Sequence, residues 1–355
     1  MTSHYEERMD ADLEQIRAKV RKASDLVERQ VHNAVQSLLT IDRDLAGQVV
    51  LGDRQVNRRI REIDHLVHAF IVRHAPSARP LRYASAVLRL DVALERVGDY
   101  AGSMGREVAR LSAPAPGAVG RDIELVAQQA RLMLSHALEA FHDGEAESAK
   151  GVYGLTAQVD LMLERALTDV QRAAEKGKGT LRDVFGLLRI LYLLKRVAEQ
   201  AENVSELTVF AITGEEKPAK VFRVLFVDES NDRASQIAEA YARKAYPESG
   251  RYSSAGRTPA ETLSHDLIQF MDGRGVDVRT ARPTALTPTG ETPEHYHIIV
   301  VLSPEARDRL GEVPYRSTVV EWKIESDPQD LDALYKEVAI HVQDLMTTLA
   351  GPDAR

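Results

Sequence analysis

The sequence contains no cysteine among its 355 residues. Disulfide bonds, thiolate nucleophiles, cysteine-ligated zinc and iron–sulfur clusters are therefore excluded from this chain. Long apolar runs are missing as well, since no uncharged stretch approaches the ~18–20 residues of a membrane span. The N-terminal residues lack the basic-then-apolar pattern of a signal peptide. We therefore expect a soluble cytoplasmic protein with no membrane insertion.

The sequence also lacks an excess of positive charge. Its net charge is −8: residues 1–215 contain 29 basic and 31 acidic side chains, and residues 216–355 contain 17 and 23. Binding to nucleic acid requires a positive face that displaces counterions from phosphates, so we expect no nucleic acid partner. No Gly-x-Gly-x-x-Gly or Walker-type loop occurs either, which argues against a nucleotide cofactor.

Residues 1 to about 210 have the periodicity of long helices, interrupted by proline and glycine. Six helical blocks are predicted, at 3–39, 42–74, 77–111, 118–142, 145–176 and 179–211. LERVGDYA at 94–101 aligns with LKRVAEQA at 194–201, and shorter matches at 81–82 and 88–90 keep the same offset of 100. Several matches at one offset indicate a duplicated unit. We expect two tandem antiparallel three-helix bundles, at residues 1–112 and 118–212.

After a polar linker at 213–220, predicted strands alternate with predicted helices. The strands are expected at 221–227, 252–254, 297–302 and 318–322. The helices between and after them are expected at 235–246, 259–273, 304–310 and 331–349. This alternation is typical of a small parallel sheet covered on both faces. The predicted fold class is multidomain, α followed by α/β, and ends in a small doubly wound parallel-sheet domain at residues 221–352.

Three carboxylates line one stripe of the third predicted helix, because Asp91, Glu95 and Asp99 are spaced four residues apart. Like charges on one stripe repel one another, so the stripe needs a compensating positive charge. A hard or borderline metal ion would supply it, as would Arg82 or Arg96. Spacing alone favours the simpler interpretation, which is a solvated acidic helix face.

The first repeat contains PSA at 76–78, PLR at 80–82 and LERVGDYA at 94–101, and the second ends in ENV at 202–204 and TG at 213–214. Over about residues 5–215 these segments resemble the PhoU family of phosphate-transport regulators. The resemblance implies a cytoplasmic, metal-associated homodimer that restrains phosphate uptake and the phosphate-starvation response. Its implied partners are a phosphate transporter ATPase, a phosphate-sensing histidine kinase, or both.

In that family a Glu-x-x-x-Asp pair supplies metal ligands, which the resemblance places on Glu95 and Asp99. Asp91 is added on spacing alone, and the implied cofactor is a divalent or trivalent metal ion. The second repeat departs from the pattern, because Lys195 stands at the Glu position and Glu199 at the Asp position. A lysine ammonium there would occupy the space of the ion, so we expect no second metal cluster at Glu199.

A strand at 224–227 runs into the loop DESNDRAS at 228–235 and then into a helix. Such a turn aims backbone N–H groups and a helix N-terminus at one point, which is how proteins hold phosphates. SAG at 254–256, GVD at 275–277 and Asp327-Pro328 follow in order. Over about residues 221–350 the segment resembles the low-molecular-weight tyrosine phosphatase and arsenate reductase fold.

The loop of that fold is Cys-x5-Arg-Ser. Here Asp228 stands at the nucleophile position and Ala234 at the position of the phosphate-gripping arginine, with Arg233 one residue away. The other family positions keep their residues: Asn231, Ser235 and the general acid Asp327. A carboxylate ~4 Å from phosphate costs about 4 kcal/mol at an effective dielectric near 20. We therefore predict a catalytically silent domain and no enzyme activity.

Two alternatives stay open for this half of the chain. One is an active phosphatase or arsenate reductase-type enzyme that works without a thiol. The other is a phosphorelay receiver-like switch, with Asp228 and Glu229 as paired acids, Asp272 as phosphoacceptor, Ser303 as switch hydroxyl and Lys323 as phosphate lysine. Asp272 falls in a segment of helical periodicity, which argues against the receiver. The favoured prediction is a PhoU-like negative regulator that acts through protein contacts.

Overall fold

The structure is a computed structural model that describes residues 4–216, 220–287, 296–308, 310–311, 313, 317–352 and 354–355. The chain divides into two compact units, Met1–Lys217 and Pro218–Arg355. The described part of the first is helical, and that of the second combines four strands with helices. The described helices include none that is long and apolar enough to cross a membrane. The predicted fold class, α followed by a small parallel α/β domain, is confirmed.

The first repeat consists of three long helices, α1 (His4–Thr40), α2 (Arg43–His74) and α3 (Ala78–Val108). Asp42 caps α2, because its side chain accepts a hydrogen bond from the backbone N of Leu45 at 2.9 Å. The aliphatic stripe of each helix faces a core that both repeats share.

The second repeat comprises α4 (Gly117–Asp143), α5 (Ala146–Lys150), α6 (Leu155–Glu175) and α7 (Leu181–Thr213). The prediction of one helix over 145–176 is wrong, because a turn at residues 151–154 divides it. Two glycines in this turn each disfavour helix by about 1 kcal/mol. Backbone hydrogen bonds between residues three apart close this turn, such as the one from N of Tyr153 to O of Lys150 at 3.2 Å. Val152, within the turn, is buried in the core.

α3 and α7 pack against each other in antiparallel orientation. The end of α3 meets the start of α7, where the backbone N of Ser112 donates to Oδ1 of Asp183 at 2.7 Å. The start of α3 meets the end of α7, where the side chain of Arg82 lies beside Gly214. The third helices of the two copies of the duplicated unit are therefore direct neighbours.

The C-terminal unit contains a parallel sheet in the order β2-β1-β3-β4. The strands are β1 (Phe222–Asp228), β2 (Gly250–Gly256), β3 (Ile298–Val301) and β4 (Thr318–Glu321). The helices are α8 (Ala234–Ala245), α9 (His265–Gly273), α10 (Pro304–Arg307) and α11 (Leu331–Ala350). Val224 and Phe226 of β1 lie in one core, and Leu225 and Val227 lie in another. The sheet is thus covered on both faces, as its apolar strands predict.

Several elements of this unit differ from their predicted bounds, β2 and α9 most of all, and α10 ends at Arg307 and not at 310. β2 extends beyond 252–254 because it pairs with β1 along its whole length, up to the register of Asp228 with Gly256. α9 begins at His265 and not at 259, because Ser264 caps it by accepting from Leu267 N at 3.3 Å. Within the predicted linker at 213–220, residues 217–219 lie outside the described residues.

Candidate functional site

The acidic stripe predicted on α3 runs from a buried carboxyl to two exposed ones. Asp91 is 3% exposed, and neither carboxyl oxygen has a hydrogen-bond partner among the described residues. Burial, followed by the charges of Asp64 and Glu95, raises the pKa of Asp91 to about 8. Glu95 and Asp99, one and two turns further along, are exposed. An ion from solvent can therefore reach Glu95 and Asp99 but not Asp91.

α2 contributes a carboxylate to this stripe that was not predicted from the sequence. Burial raises the pKa of Asp53, and the negative charges of Asp99 and Glu95 raise it further. Oδ1 of Asp53 and Oδ1 of Asn57 are buried without a hydrogen-bond partner in the described part of the chain. A signal was present in the sequence, because Asp53 and Asn57 are four residues apart and share one face of α2.

Two glycines of α3 allow α2 to approach closely. A Cβ atom at Gly98 would lie 3.1 Å from Cγ1 of Val56, and one at Gly105 would lie 2.7 Å from the carbonyl oxygen of Ala46. The positive charge that lowers the pKa of Asp53 belongs to Arg106. Within the described ranges, no three His, Asp or Glu side chains converge well enough to hold one metal ion.

The corresponding face of the second repeat contains an internal cation. Nζ of Lys195 lies 3.5 Å from Oδ1 of Asp160 on α6 and 3.6 Å from Oε1 of Glu199 on α7. Nη1 of Arg196 donates to Oε2 of Glu199 at 2.7 Å. Ammonium and guanidinium groups therefore stand next to the carboxylates of this repeat, whereas the first repeat brings carboxylates close to one another.

In the C-terminal unit, the loop at 228–235 closes around the carboxylate of Asp228. Oδ1 accepts from the backbone N of Asn231 at 2.6 Å, and Oδ2 accepts from the backbone N of Ser235 at 2.9 Å. Asp228 is buried, which raises its pKa, and these hydrogen bonds oppose that shift. Two N–H groups of a loop that resembles an anion cradle are thus taken by a carboxylate of the chain itself.

Asn231 fixes the shape of this loop. Its backbone is left-handed, with φ at 50°, a conformation that asparagine adopts more readily than most residues. Its side chain donates to Oγ of Ser235 and accepts from the backbone N of Thr284, both at 2.8 Å. Gly256 of β2 passes so close that a Cβ atom there would lie 2.8 Å from the N of Asn231. The structure thus brings together Asp228, Asn231 and Ser235.

The other predicted loop residues are bound to neighbouring backbone. Arg233 donates from Nη1 to the carbonyl oxygen of Pro328, which brings the segment of Asp327 next to the loop. Asp327 is exposed, and its Oδ1 accepts from the backbone N of Gln329 at 2.9 Å. Ala234 begins α8 and provides no charge at the position of the phosphate-gripping arginine.

Asp272, the phosphoacceptor proposed for a receiver, does not have the position that a receiver needs. Asp272 lies within α9 and not at the end of a strand. Lys323 pairs with Glu325 at 3.0 Å, and its side chain is 88% exposed. The hydroxyl of Ser303 is buried without a hydrogen-bond partner in the described chain. The position of Asp272 within a helix therefore argues against the receiver-like alternative.

Solved structures give a distant match to the C-terminal unit. "An arsenate reductase in the phosphate binding state" is 19% identical, covers 36% of this chain and 99% of that chain, and has a TM-score of 0.30.

The helical unit matches known proteins at greater length. The model of the PhoU domain matches residues 20–108 and again residues 123–208. The "Phosphate-specific transport system accessory protein PhoU homolog" of Pseudomonas putida is 29% identical over 215 residues, which are 60% of this chain and 84% of that protein. The accessory protein PhoU of Escherichia coli (strain K12) is 24% identical over 216 residues, 61% of this chain and 90% of that protein. The crystal structure of PhoU from Pseudomonas aeruginosa is 29% identical, covers 58% of this chain and 99% of that chain, and has a TM-score of 0.56. The chain thus carries two PhoU domains, and its helical unit belongs to the PhoU family.

Proposed function

We propose that this protein is an accessory regulator of phosphate transport that restrains phosphate uptake and the phosphate-starvation response. The observation that carries the proposal is the pair of PhoU domains at residues 20–108 and 123–208, supported by relatives named as accessory proteins of phosphate-specific transport. The regulator acts in the cytoplasm as a homodimer. It contacts the ATPase of a phosphate transporter, a phosphate-sensing histidine kinase, or both.

A deletion strain tests this proposal. Cells that lack the protein should express a phosphate-starvation reporter in phosphate-rich medium and take up labelled phosphate faster than the parent strain. The wild-type gene supplied in trans should restore both values. If reporter expression and uptake are the same with and without the gene, the regulatory function is wrong.

A metal ion at the α3 stripe is part of the proposal. Glu95 and Asp99 would hold it, with Asp53 as a third carboxylate and Asn57 as an amide oxygen. Two observations support such an ion. Among the described residues, Asp53 and Asn57 each have a buried oxygen without a hydrogen-bond partner, and burial and the charges of Asp99 and Glu95 raise the pKa of Asp53. All the donors are oxygens, which suits a hard divalent or trivalent cation. When bound, the ion would supply positive charge to these carboxylates.

We further propose that the second repeat binds no metal ion. Lys195 already lies between Asp160 and Glu199, within 3.6 Å of each. Arg196 adds a second positive charge at Glu199. An ammonium ion and a metal ion would repel each other at this separation, so the lysine takes the place of the metal.

Manganese titration of the purified chain tests both statements. Wild type should bind Mn²⁺ at one site, and the double variant Glu95→Ala, Asp99→Ala should lose it. The matched control Glu147→Ala, Glu175→Ala removes the same charge from exposed positions on other helices and should keep the site. Lys195→Glu should add a second site. If wild type and the double variant at Glu95 and Asp99 bind the same number of Mn²⁺ ions, the first statement is refuted. If Lys195→Glu still binds only one Mn²⁺ ion, the second statement is refuted.

The C-terminal unit is proposed to be catalytically silent. It has no thiol to act as nucleophile, and Asp228 fills the loop with negative charge while Ala234 provides no arginine. A phosphate ~4 Å from this carboxylate would be disfavoured by about 4 kcal/mol, or about three decades of affinity. The role that remains is structural or partner-binding.

Steady-state assays with an aryl phosphate and with arsenate test the silent role. The expected result is no turnover by wild type. Turnover that disappears in Asp228→Asn would establish the alternative, a non-thiol phosphatase or arsenate reductase. Acid-labile phosphate on Asp272 after treatment with a small phosphodonor would instead establish the receiver-like switch, against the position of Asp272 within α9.

A further inference from the structure

Four apolar side chains follow one line on the outer side of α7, and we name Leu181, Phe185, Leu188 and Tyr192 the α7 stripe. Their spacing of i, i+4, i+7 and i+11 places them along about 16 Å of the helix. Leu181 is 72% exposed, Phe185 63% and Tyr192 50%, while Leu188 is half-buried. Large apolar side chains that are exposed next to one another mark an interaction site more often than scattered ones do.

Three arginines flank the α7 stripe at intervals of seven residues. Arg189 donates to Glu107 at 2.8 Å and Arg196 to Glu199 at 2.7 Å, whereas Arg182 forms no ion pair within the described residues. A guanidinium carries five N–H donors, so the paired arginines keep donors for further carboxylates. The stripe therefore has an arginine edge, with about 10 Å of helix between successive guanidinium-bearing residues.

The duplication gives an independent reason to regard this surface as functional. The first repeat carries the corresponding residues at an offset of 100: Leu81, Leu88 and Val92 at stripe positions, and Arg82, Arg89 and Arg96 at the edge. Buried positions such as Leu94 and Leu194 keep their residue because they pack in the core. Packing does not require an exposed leucine beside an arginine. Leu88 and Leu188 also pack against the core, but Leu81 and Leu181 are both exposed, so retention of this leucine–arginine pair points to a binding requirement. Phe185 in place of Ser85 makes the α7 copy the more apolar one.

We propose that the α7 stripe and its arginine edge dock an acidic amphipathic helix of the protein that this regulator controls, an inference that rests on the proposed function. A partner helix with apolar residues at matching intervals packs on the stripe, and carboxylates seven residues apart on its flank meet Arg182, Arg189 and Arg196. A second copy of this chain fits less well, because it would bring the same arginine edge towards itself.

The test measures binding of the full chain to two purified probes, the transporter ATPase and the cytoplasmic portion of the kinase. The double variant Phe185→Ser, Tyr192→Ser and the single variant Arg182→Glu should each bind at least about tenfold more weakly than wild type. Two matched controls should stay within about twofold. Leu51→Ser, Val72→Ser removes exposed apolar side chains elsewhere, where Leu51 is 67% and Val72 86% exposed, and Arg29→Glu reverses an exposed charge on α1. Far-ultraviolet circular dichroism and unfolding midpoints check that every variant is folded.

The possible results separate this inference from the proposed function. If wild type binds neither probe, the proposed partners are wrong and the surface assignment falls with them. If wild type binds and the stripe variants bind equally well, the surface assignment alone is wrong. Sedimentation velocity measures whether the chain is a dimer or a monomer. If the stripe variants are monomers where wild type is a dimer, and they keep the affinity for the probe, the surface joins two copies and the acidic partner is refuted.

Discussion

Replacing Asp91 by asparagine should stabilise the helical unit, and the gain should grow as the pH rises. Burial and the charges of Asp64 and Glu95 raise the pKa of Asp91 from 3.8 to about 8. Between these two values the folded chain holds a proton on this carboxyl that the unfolded chain has lost. Because the folded state binds the extra proton, rising pH lowers the free energy of unfolding across that window and has no further effect above it.

The size of the effect follows from the two pKa values of Asp91. At about 1.4 kcal/mol per pKa unit, the difference between 3.8 and about 8 amounts to about 6 kcal/mol. Asparagine is neutral at every pH, so it lacks this contribution. It also keeps the volume of the carboxyl group and leaves a comparable buried polar group unpaired. The free-energy gain of Asp91→Asn over wild type should therefore increase by about 4 kcal/mol from pH 5 to pH 8.

Urea-induced unfolding followed by circular dichroism at pH 5, 6.5 and 8 measures this gain. A chelator is present throughout, so that no ion at Glu95 and Asp99 contributes. Asp25→Asn on the exposed side of α1 controls for the loss of one aspartate. If the difference in unfolding free energy between Asp91→Asn and wild type is the same at all three pH values, Asp91 is solvated and the reasoning fails.

Two further substitutions test contacts that hold the fold. The carboxylate of Asp183 accepts two hydrogen bonds from Ser112, from its backbone N at 2.7 Å and its Oγ at 2.5 Å. It accepts two more from Thr180, from its backbone N at 3.0 Å and its Oγ1 at 2.7 Å. These bonds lower its pKa, so its contribution is present above about pH 4 and is lost on acidification. Asp183→Ala should lower the unfolding free energy by about 3 kcal/mol at pH 7, and a loss below about 1 kcal/mol would contradict this role. Gly256→Ala should lower the free energy of unfolding of the C-terminal unit by about 2 kcal/mol. The new methyl group of the alanine would push Asn231 aside, so the amide resonance of Asn231 should shift. An unchanged resonance would show that the loop does not need the glycine.

The architecture was predictable because its signals are local. The duplication at an offset of 100 and the glycine and proline breaks are visible in short segments, and they give helices close to those observed. The helix at 145–176 was predicted wrongly because periodicity continues through residues 151–154, where Val152 packs in the core as part of a turn. The length of β2 was missed for a different reason. The length of β2 depends on its pairing with β1, and residues 250–256 contain no local signal for that pairing.

The candidate sites were predictable only where one element contains all the residues. Glu95 and Asp99 stand on the same helix at i, i+4, so spacing finds them. Asp53 reaches them through the packing of α2 on α3, across more than forty residues of sequence. The burial of Asp91 has the same origin, since spacing places it on the stripe but not in the core. The opposition of Asp228 to phosphate was predictable from its charge, but its hydrogen bonds with the loop required the folded backbone.

The second repeat and the α/β loop share one physical feature, which is that the chain itself supplies the charge that a ligand would bring. Lys195 stands next to Asp160 and Glu199, and the carboxylate of Asp228 takes N–H groups of its own loop. An internal charge is present at a fixed effective concentration, so under the proposed function we expect neither place to respond to the level of a metal ion or an oxyanion in the cell. In the described part of the chain, Arg106 is the cation that lowers the pKa of Asp53 beside the acidic stripe of the first repeat, and Asp91, Glu95 and Asp99 form no ion pair there. Under the proposed function, regulation by an ion therefore has to act through Glu95 and Asp99.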